Sequence, residues 1–277
     1  MNLDAMGRPI VPKEHGAWAV LYGAFLAGVG VAGRMHLPVL LLLVGITASA
    51  FANGALTILL RPAAGPAHAA RKRRALAWSL VYGGLAVTAL VPLLMVYRMT
   101  FLIPFAVGAT FFVLLRALLI RGKDDRSLVG ELLGTAGLSM VVAVTHAVSV
   151  SEVRPVGLIL WVLVFLFFAS AVFRVRTRLH GMFVRQRGVR AADPGRVQSV
   201  VYHIMLILVI PLLAVLHVIP WVVLFAFAPA VWRAASGLRD DGEAPLDVMR
   251  LGWSEVALTT AFVLLLIGAF HVGTSAG

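Results

Sequence analysis

The sequence predicts an all-α polytopic membrane protein with about nine transmembrane helices. Its 277 residues are 61% hydrophobic and 13% charged, and the mean hydropathy is +0.96. A soluble domain of this length needs a largely polar outer shell, which such a composition does not supply. Apolar runs of about 20 residues, the length that crosses a hydrocarbon core, recur along the chain. We therefore expect a single transmembrane helical domain over residues 1–277.

Nine apolar runs are long enough to cross a bilayer, and short turn signals separate most of them. Pro220 divides the seventh run from the eighth, because a proline and the combined length argue against one continuous helix. The first run is too long for the apolar part of a signal peptide. The predicted spans lie near residues 16–33, 37–60, 75–97, 99–120, 128–150, 156–173, 199–217, 219–235 and 253–272.

The basic residues are divided unequally between the two sides of the membrane. Of the 24 lysines and arginines, only Arg34, Arg98 and Arg154 fall opposite the N-terminus when the nine spans alternate in direction. An excess of positive charge marks cytosolic loops. We therefore expect a multi-pass protein of the bacterial inner (cytoplasmic) membrane, with its N-terminus in the cytosol and its C-terminus outside. The net charge of +12 then has a topological role, and no nucleic-acid-binding motif accompanies it.

Polar residues inside the spans are the best sequence pointers to function, because they are costly unless they face protein or water. In span two, Asn53, Thr57 and Arg61 follow one another at four-residue spacing, which places them on one helix face. Arg174 and Arg178 share a face at the end of span six, and Glu131 begins span five. All fall in the predicted cytosolic half. We expect these six residues to line a cytosol-facing cavity that holds an anionic headgroup, since arginines bind phosphate or carboxylate.

The hydroxyl groups in the spans also have a structural interpretation. Serine and threonine often bond to their own helix or to a neighbouring one. We favour this packing role for the pairs Ser49/Thr57 and Thr135/Ser139. Asn53 is different, because an amide at that depth requires hydrogen-bond partners.

The charged groups near helix ends have structural interpretations too. Taken singly, Arg116, Arg174 and Arg233 are interpreted as arginines that extend to the membrane interface. Glu131 and Glu255 are equally well interpreted as partners in ion pairs between helices or as functional groups.

The N-terminal string from Pro12 to Ala19, PKEHGAWA, resembles the motif that opens the YwiC-like family of bacterial membrane proteins. The hydropathy pattern is similar over essentially the whole chain. The resemblance implies a multi-pass membrane protein and brings no assigned activity.

The architecture more distantly resembles the UbiA-type intramembrane prenyltransferases, which implies a UbiA-like bundle. That family places aspartate-rich motifs after spans two and six to hold a prenyl diphosphate through magnesium. Neither 53–74 nor 174–190 contains an acidic residue here, and magnesium is held through carboxylate oxygens. Magnesium-dependent prenyl transfer is therefore disfavoured, and only the scaffold carries over as an analogy.

Three functions are compatible with these features. The first is binding of membrane lipids, an anionic isoprenoid or phospholipid, by Asn53, Thr57, Arg61, Arg174 and Arg178, without a metal or another cofactor. If a metal-independent reaction occurs, Glu14, His15 or Glu131 are the candidates to move a proton. The second is a small-molecule transporter, which helices broken near the membrane midplane would favour. The third is a non-catalytic subunit of a membrane assembly, whose protein partners the sequence does not name.

Overall fold

The computed structural model describes residues 8–12, 15–61, 65–122, 124, 127–187, 194–239 and 248–275, and there the secondary structure is helical. The helices are α1 (His15–Ala32), α2 (Leu37–Leu60), α3 (Pro66–Met95), α4 (Ile103–Gly122), α5 (Leu128–Ser139), α6 (Val141–Val150), α7 (Pro155–Arg187), α8 (Pro194–Val215), α9 (Val223–Ala226), α10 (Ala228–Arg239) and α11 (Val248–Ser275). The predicted all-α class is confirmed.

Seven stretches of the described chain are long and apolar enough to cross a membrane. Two shorter apolar helices, Gly16–Ala32 and Val223–Ser236, correspond to the first and eighth predicted spans. Every predicted span thus coincides with an apolar helix, while the count of nine crossings stays a prediction. The seven spanning stretches are Leu37–Leu60, His68–Met95, Thr100–Gly122, Leu128–Val150, Pro155–Thr177, Gly195–Val215 and Gly252–Gly273.

Two helices extend beyond the predicted spans into basic segments. The third predicted span lies near residues 75–97, whereas α3 begins at Pro66, so Arg71 lies on the helix. The sixth predicted span lies near residues 156–173, whereas α7 continues to Arg187. Arginine and lysine are good helix formers. A run of them therefore ends the apolar stretch of a helix without ending the helix.

Consecutive spans run in opposite directions, which gives the bundle two chemically different ends. At the turn end, where α1 ends at Ala32 and α6 at Val150, His271 Nε2 donates to the Gly30 carbonyl over 2.9 Å. At the basic end, where α2 ends at Leu60 and α4 at Gly122, the ion pairs described below join α5, α7, α10 and α11.

The main core is built around α7. Phe167 and Phe262 stack with their ring centroids 3.9 Å apart, and Leu160, Leu163 and Leu266 are fully buried beside them. By contrast, only 6% of the α4 span is buried. Helix α4 therefore faces lipid over most of its circumference, since apolar side chains there are covered by hydrocarbon.

Several spans contain an internal proline or a short division between two helices. Pro92 lies inside α3 and Pro211 inside α8, and the eighth predicted span is divided at Phe227 between α9 and α10. The fifth span is divided at Met140, whose φ of −59° and ψ of −21° are still helical. The helical hydrogen bonds continue through this position, since the Met140 N–H donates to the Ala136 carbonyl at 3.1 Å and the Val144 N–H to the Met140 carbonyl at 3.2 Å.

The alternation of the two ends can be tested by labelling, because the chain has no cysteine. We expect Met35→Cys and Ser151→Cys to react with a membrane-impermeant maleimide in intact cells. Arg71→Cys and Arg121→Cys should react only after the membrane is permeabilised, since basic segments stay in the cytosol. Labelling of Arg71→Cys in intact cells would contradict the predicted orientation.

Candidate functional site

A cavity of about 310 Å³ lies between α2–α3 on one side and α4, α5 and α6 on the other. Its walls are mostly apolar, and Asn53 and Arg116 line it towards the basic end. The remaining walls include Leu42, Ile46, Leu90, Leu93, Leu94, Leu102, Phe105, Ala109, Phe112, Leu138, Met140, Val141 and Val144. The cavity is thus an apolar slot with an amide and a guanidinium group near one end.

The depth of Asn53 and Arg116 follows from their positions on two parallel helices. Asn53 precedes the end of α2 by seven residues, and Arg116 precedes the end of α4 by six. With a rise of about 1.5 Å per residue, both lie roughly 10 Å from the basic end. Two polar groups at similar depth, contributed by different helices, can act on the same ligand.

Arg116 is the cavity residue that the sequence analysis missed, because it was interpreted as an arginine extending to the interface. The Arg116 side chain is partly buried. Its guanidinium lies against Gly134 of α5, where an added Cβ would sit 3.5 Å from Arg116 Nη1. The signal was present in the sequence as small residues on α5, which let another helix or a long side chain come close.

The predicted polar face of α2 is only partly directed at this cavity. Ser49 and Asn53 line it, but the Ser49 hydroxyl donates to the Gly45 carbonyl over 2.8 Å. The Thr57 hydroxyl donates to the Asn53 carbonyl, also over 2.8 Å, and Arg61 is the exposed C-cap of α2. The packing interpretation of Ser49 and Thr57 therefore agrees with their hydrogen bonds.

The remaining predicted residues lie elsewhere. Glu131, in the first turn of α5, forms an ion pair with Arg176 of α7 at 3.1 Å. Arg174 pairs with Glu255 of α11 at 3.2 Å. Both pairs join helices, as one of the two interpretations predicted. Glu131 and Arg174 do not line the cavity beside Asn53.

Three predicted residues fall partly or wholly outside the described structure. Glu14 is outside it, and for His15 and Arg178 only the helical backbone is described. The neighbouring Pro12 is described: its carbonyl accepts from Trp18 Nε1 over 3.3 Å, and its ring packs on Gly54. The N-terminal motif thus packs against α2 close to Asn53.

A buried charge cluster holds the C-terminal helices together at the basic end. Arg233 of α10 is fully buried, with Nη2 lying 2.9 Å from Glu255 Oε2. The same carboxylate binds Arg174 through Oε1. The interpretation of Arg233 and Arg174 as interfacial arginines is therefore wrong, because each is buried against Glu255 from another helix. Two arginines from different helices therefore share the carboxylate of Glu255.

The buried guanidinium of Arg233 has further partners that keep it in place. Nη1 donates to the Phe167 carbonyl at 3.1 Å and to Ser170 Oγ at 3.3 Å. The guanidinium carbon lies 4.6 Å from the centroid of the Phe167 ring, a cation–π contact. Ser170 Oγ lies 2.8 Å from His203 Nε2, and His203 Nδ1 donates to the Ser199 carbonyl at 2.7 Å. Ser170 Oγ thus links the Arg233 guanidinium to the His203 ring.

The described residues contain no group of three or more histidine, aspartate or glutamate side chains that could hold a metal ion. The amide of Asn53 and the guanidinium of Arg116 line the cavity, and both groups are hydrogen-bond donors suited to an anion.

This fold and this cavity define a multi-pass integral membrane protein with an internal, largely apolar cavity. Residues 11–146 match the family described as YwiC-like protein, which confirms the predicted family on that part of the chain. Comparisons with curated proteins and with solved structures found no match. The UbiA-like bundle stays a prediction. All residues that line the cavity lie between positions 21 and 144, inside the matched region, whereas the Arg233–Glu255 cluster lies outside it.

Proposed function

We propose that this protein binds a single-chain anionic lipid in the cavity between α2–α3 and α4–α6, within the bacterial cytoplasmic membrane. In the proposed topology the N-terminus is cytosolic and the C-terminus is outside, so the headgroup lies near the cytosolic face. One observation supports the proposal above all others. The cavity is an elongated apolar slot whose polar groups, Asn53 and Arg116, are gathered near the basic end.

The dimensions favour one hydrocarbon chain over two. From Leu42 to Asn53 the α2 wall covers twelve residues, which are eleven steps or about 16 Å of helix. The volume of about 310 Å³ is near the lower limit for ligand cavities, roughly 300–1,000 Å³. An isoprenoid or a single acyl chain matches this long, narrow space.

The polar end is suited to a phosphate or a carboxylate. The guanidinium of Arg116 can donate two parallel hydrogen bonds to such a group, and the Asn53 amide can donate another. These bonds are strengthened by the apolar surroundings, because the local dielectric is low. Arg61 lies about 12 Å beyond Asn53 towards the basic end, where it would attract the headgroup before it enters.

A lipid could reach the cavity sideways from the bilayer. Helix α4 forms one wall, and its span is 6% buried, so little protein separates that wall from the surrounding hydrocarbon. Val107, Phe111 and Leu114 on α4 are at least 60% exposed. A tail that enters between α4 and α2 stays in hydrocarbon. It thereby avoids exposure to water, which is unfavourable for an apolar chain.

Farnesyl phosphate, which has one isoprenoid chain and one phosphate, is a suitable probe, and farnesol is the uncharged control ligand. We expect the purified protein to bind farnesyl phosphate, and Arg116→Gln to weaken binding about tenfold to a hundredfold. Loss of a hydrogen bond to a charged group costs about 1.5–3 kcal/mol. Native mass spectrometry with a titration of both ligands measures the change.

Arg121→Gln is the matched control variant, because Arg121 lies in the last turn of the same helix and does not line the cavity. It should bind farnesyl phosphate as the unmodified protein does. Farnesol binding should be insensitive to both substitutions. Equal affinity of Arg116→Gln and Arg121→Gln for farnesyl phosphate would show that the headgroup lies elsewhere.

A second candidate, transport of a small molecule, is favoured by one observation. The division between α5 and α6 at Met140 lies near the middle of the fifth span, and Met140 lines the cavity. Transporters place interrupted helices around midplane sites. Reconstituted vesicles distinguish the two functions, since a lipid-binding protein retains its ligand whereas a transporter releases it into the vesicle lumen.

A further inference from the structure

A second cavity, of about 610 Å³, lies at the turn end of the bundle, opposite the end that carries Asn53 and Arg116. We call it the turn-end pocket. It is formed where the start of α2 meets the α3–α4 and α6–α7 turns. Its polar side chains are those of His36, Tyr97, Arg98 and Ser151, and its apolar walls include Leu37, Met99 and Phe101. The turn-end pocket is thus independent of the cavity proposed to bind lipid tails.

Two residues of this pocket have a backbone conformation that normally favours glycine. Arg98 has a φ of +55° and Ser151 a φ of +61°. This left-handed conformation is less favourable for a residue that has a Cβ than for glycine. Glycine would therefore fit both turns better. Residues in such backbone conformations often lie at functional sites. Here both residues line one pocket.

The charges around the pocket favour an anion. Arg98 is one of the three basic residues predicted on this side, and the nearby acidic residue Glu152 is engaged by Arg154. The N-terminus of α2 opens into the pocket at Leu37, and its N-cap residue, His36, makes no side-chain capping bond. This helix N-terminus adds partial positive charge and one backbone donor, the Leu37 N–H, because Pro38 has no N–H and the Val39 N–H donates to the His36 carbonyl.

The position of His36 is fixed by a hydrogen bond beneath the pocket. Its Nε2 donates to the carbonyl of Ser149 over 3.1 Å. The Ser149 hydroxyl itself is buried and has no hydrogen-bond partner within the described chain. The hydrogen bond therefore orients His36 at the edge of the pocket, whose walls at Leu37, Met99 and Phe101 are apolar.

We propose that the turn-end pocket binds a phosphate group at the outer surface of the membrane. Arg98 would donate paired hydrogen bonds to two phosphate oxygens, and the Leu37 N–H and the hydroxyls of Tyr97 and Ser151 would donate to the others. The phosphate is that of a lipid headgroup, whose glycerol and upper chains contact the apolar walls, or a free phosphate ion. The chemistry of recognition is the same in both cases.

The experiment uses the full-length protein in lipid nanodiscs. Three variants are compared, Arg98→Gln, Arg98→Gly and Arg34→Gln. Arg34 is a predicted outer arginine that does not line the pocket, so Arg34→Gln is the matched control. Native mass spectrometry measures retained dioleoylphosphatidylglycerol against dioleoylglycerol, which lacks the phosphate, and calorimetry measures binding of inorganic phosphate.

We expect both Arg98 variants to lose at least tenfold in phosphate-group binding, while Arg34→Gln is unchanged. Arg98→Gly should also melt at a higher temperature than Arg98→Gln, because glycine relieves the strained turn. Loss confined to the phosphatidylglycerol measurement supports a headgroup as the source, and loss confined to inorganic phosphate supports the free ion. The proposal is overturned if all three variants match the unmodified protein in both measurements.

Discussion

Replacing Glu255 by glutamine should lower the free energy of unfolding by about 3–5 kcal/mol, the cost of leaving a buried charge without its partner. Glu255 forms ion pairs with Arg233, which is fully buried, and with Arg174, whose side chain is 10% exposed. Glutamine keeps the shape and removes the charge, so the buried guanidinium of Arg233 loses its ion-pair partner among the described residues. Thermal unfolding in detergent, followed by tryptophan fluorescence, should show a fall of roughly 10 °C.

A matched control is available at the other end of the bundle. Glu152 pairs with Arg154, but both side chains are more than half exposed. Because water screens such a pair, Glu152→Gln should cost no more than about 1 kcal/mol. The double variant Arg233→Met/Glu255→Met should be more stable than Glu255→Met alone, because the buried cation leaves together with its partner. Equal shifts for Glu255→Gln and Glu152→Gln would contradict the buried cluster.

The class of the protein and the course of its spans could be predicted because they depend on composition along the chain. Apolar runs of about 20 residues have one stable arrangement in a bilayer, the helix, in which every backbone group is satisfied. The ends of α3 and α7 could not be predicted from hydropathy. Their basic residues are polar yet still favour the helical conformation. A change from apolar to polar residues therefore marks the membrane boundary and not the end of the helix.

The grouping of polar residues was harder to predict than the helices themselves. Four-residue spacing shows that Asn53, Thr57 and Arg61 share a face of α2, but not which neighbouring helix that face meets. In the structure Asn53 meets the cavity together with Arg116, whereas Arg174 turns to Glu255. Position near a helix end led to an interfacial interpretation of Arg233. Its burial depends on α11 supplying a carboxylate at the same depth, a tertiary fact absent from local spacing.

The second large effect is expected at Gly28, where α1 packs most tightly against α6. A Cβ at this position would lie 2.7 Å from the Val142 carbonyl oxygen and 2.9 Å from Thr145 Cβ. The carbonyl belongs to the backbone of α6 and cannot rotate away, so the two helices must separate. Gly28→Ala should therefore cost about 1–3 kcal/mol, and Gly28→Val more, as overpacking does in close-packed interiors. Thermal unfolding in detergent measures both variants.

Gly268 in α11 supplies the control, because a Cβ there meets no atom within 4 Å. Gly268→Ala should be neutral or stabilising by up to about 1 kcal/mol, since alanine is the better helix former. The effect of Gly28→Val should also extend to the cavity, because Val141 and Val144 of the displaced α6 line it. Farnesyl phosphate binding should then weaken in Gly28→Val and stay unchanged in Gly268→Ala. If Gly28→Val is as stable as Gly268→Ala, α1 and α6 are not in backbone contact, and α6 is not a fixed wall of the cavity.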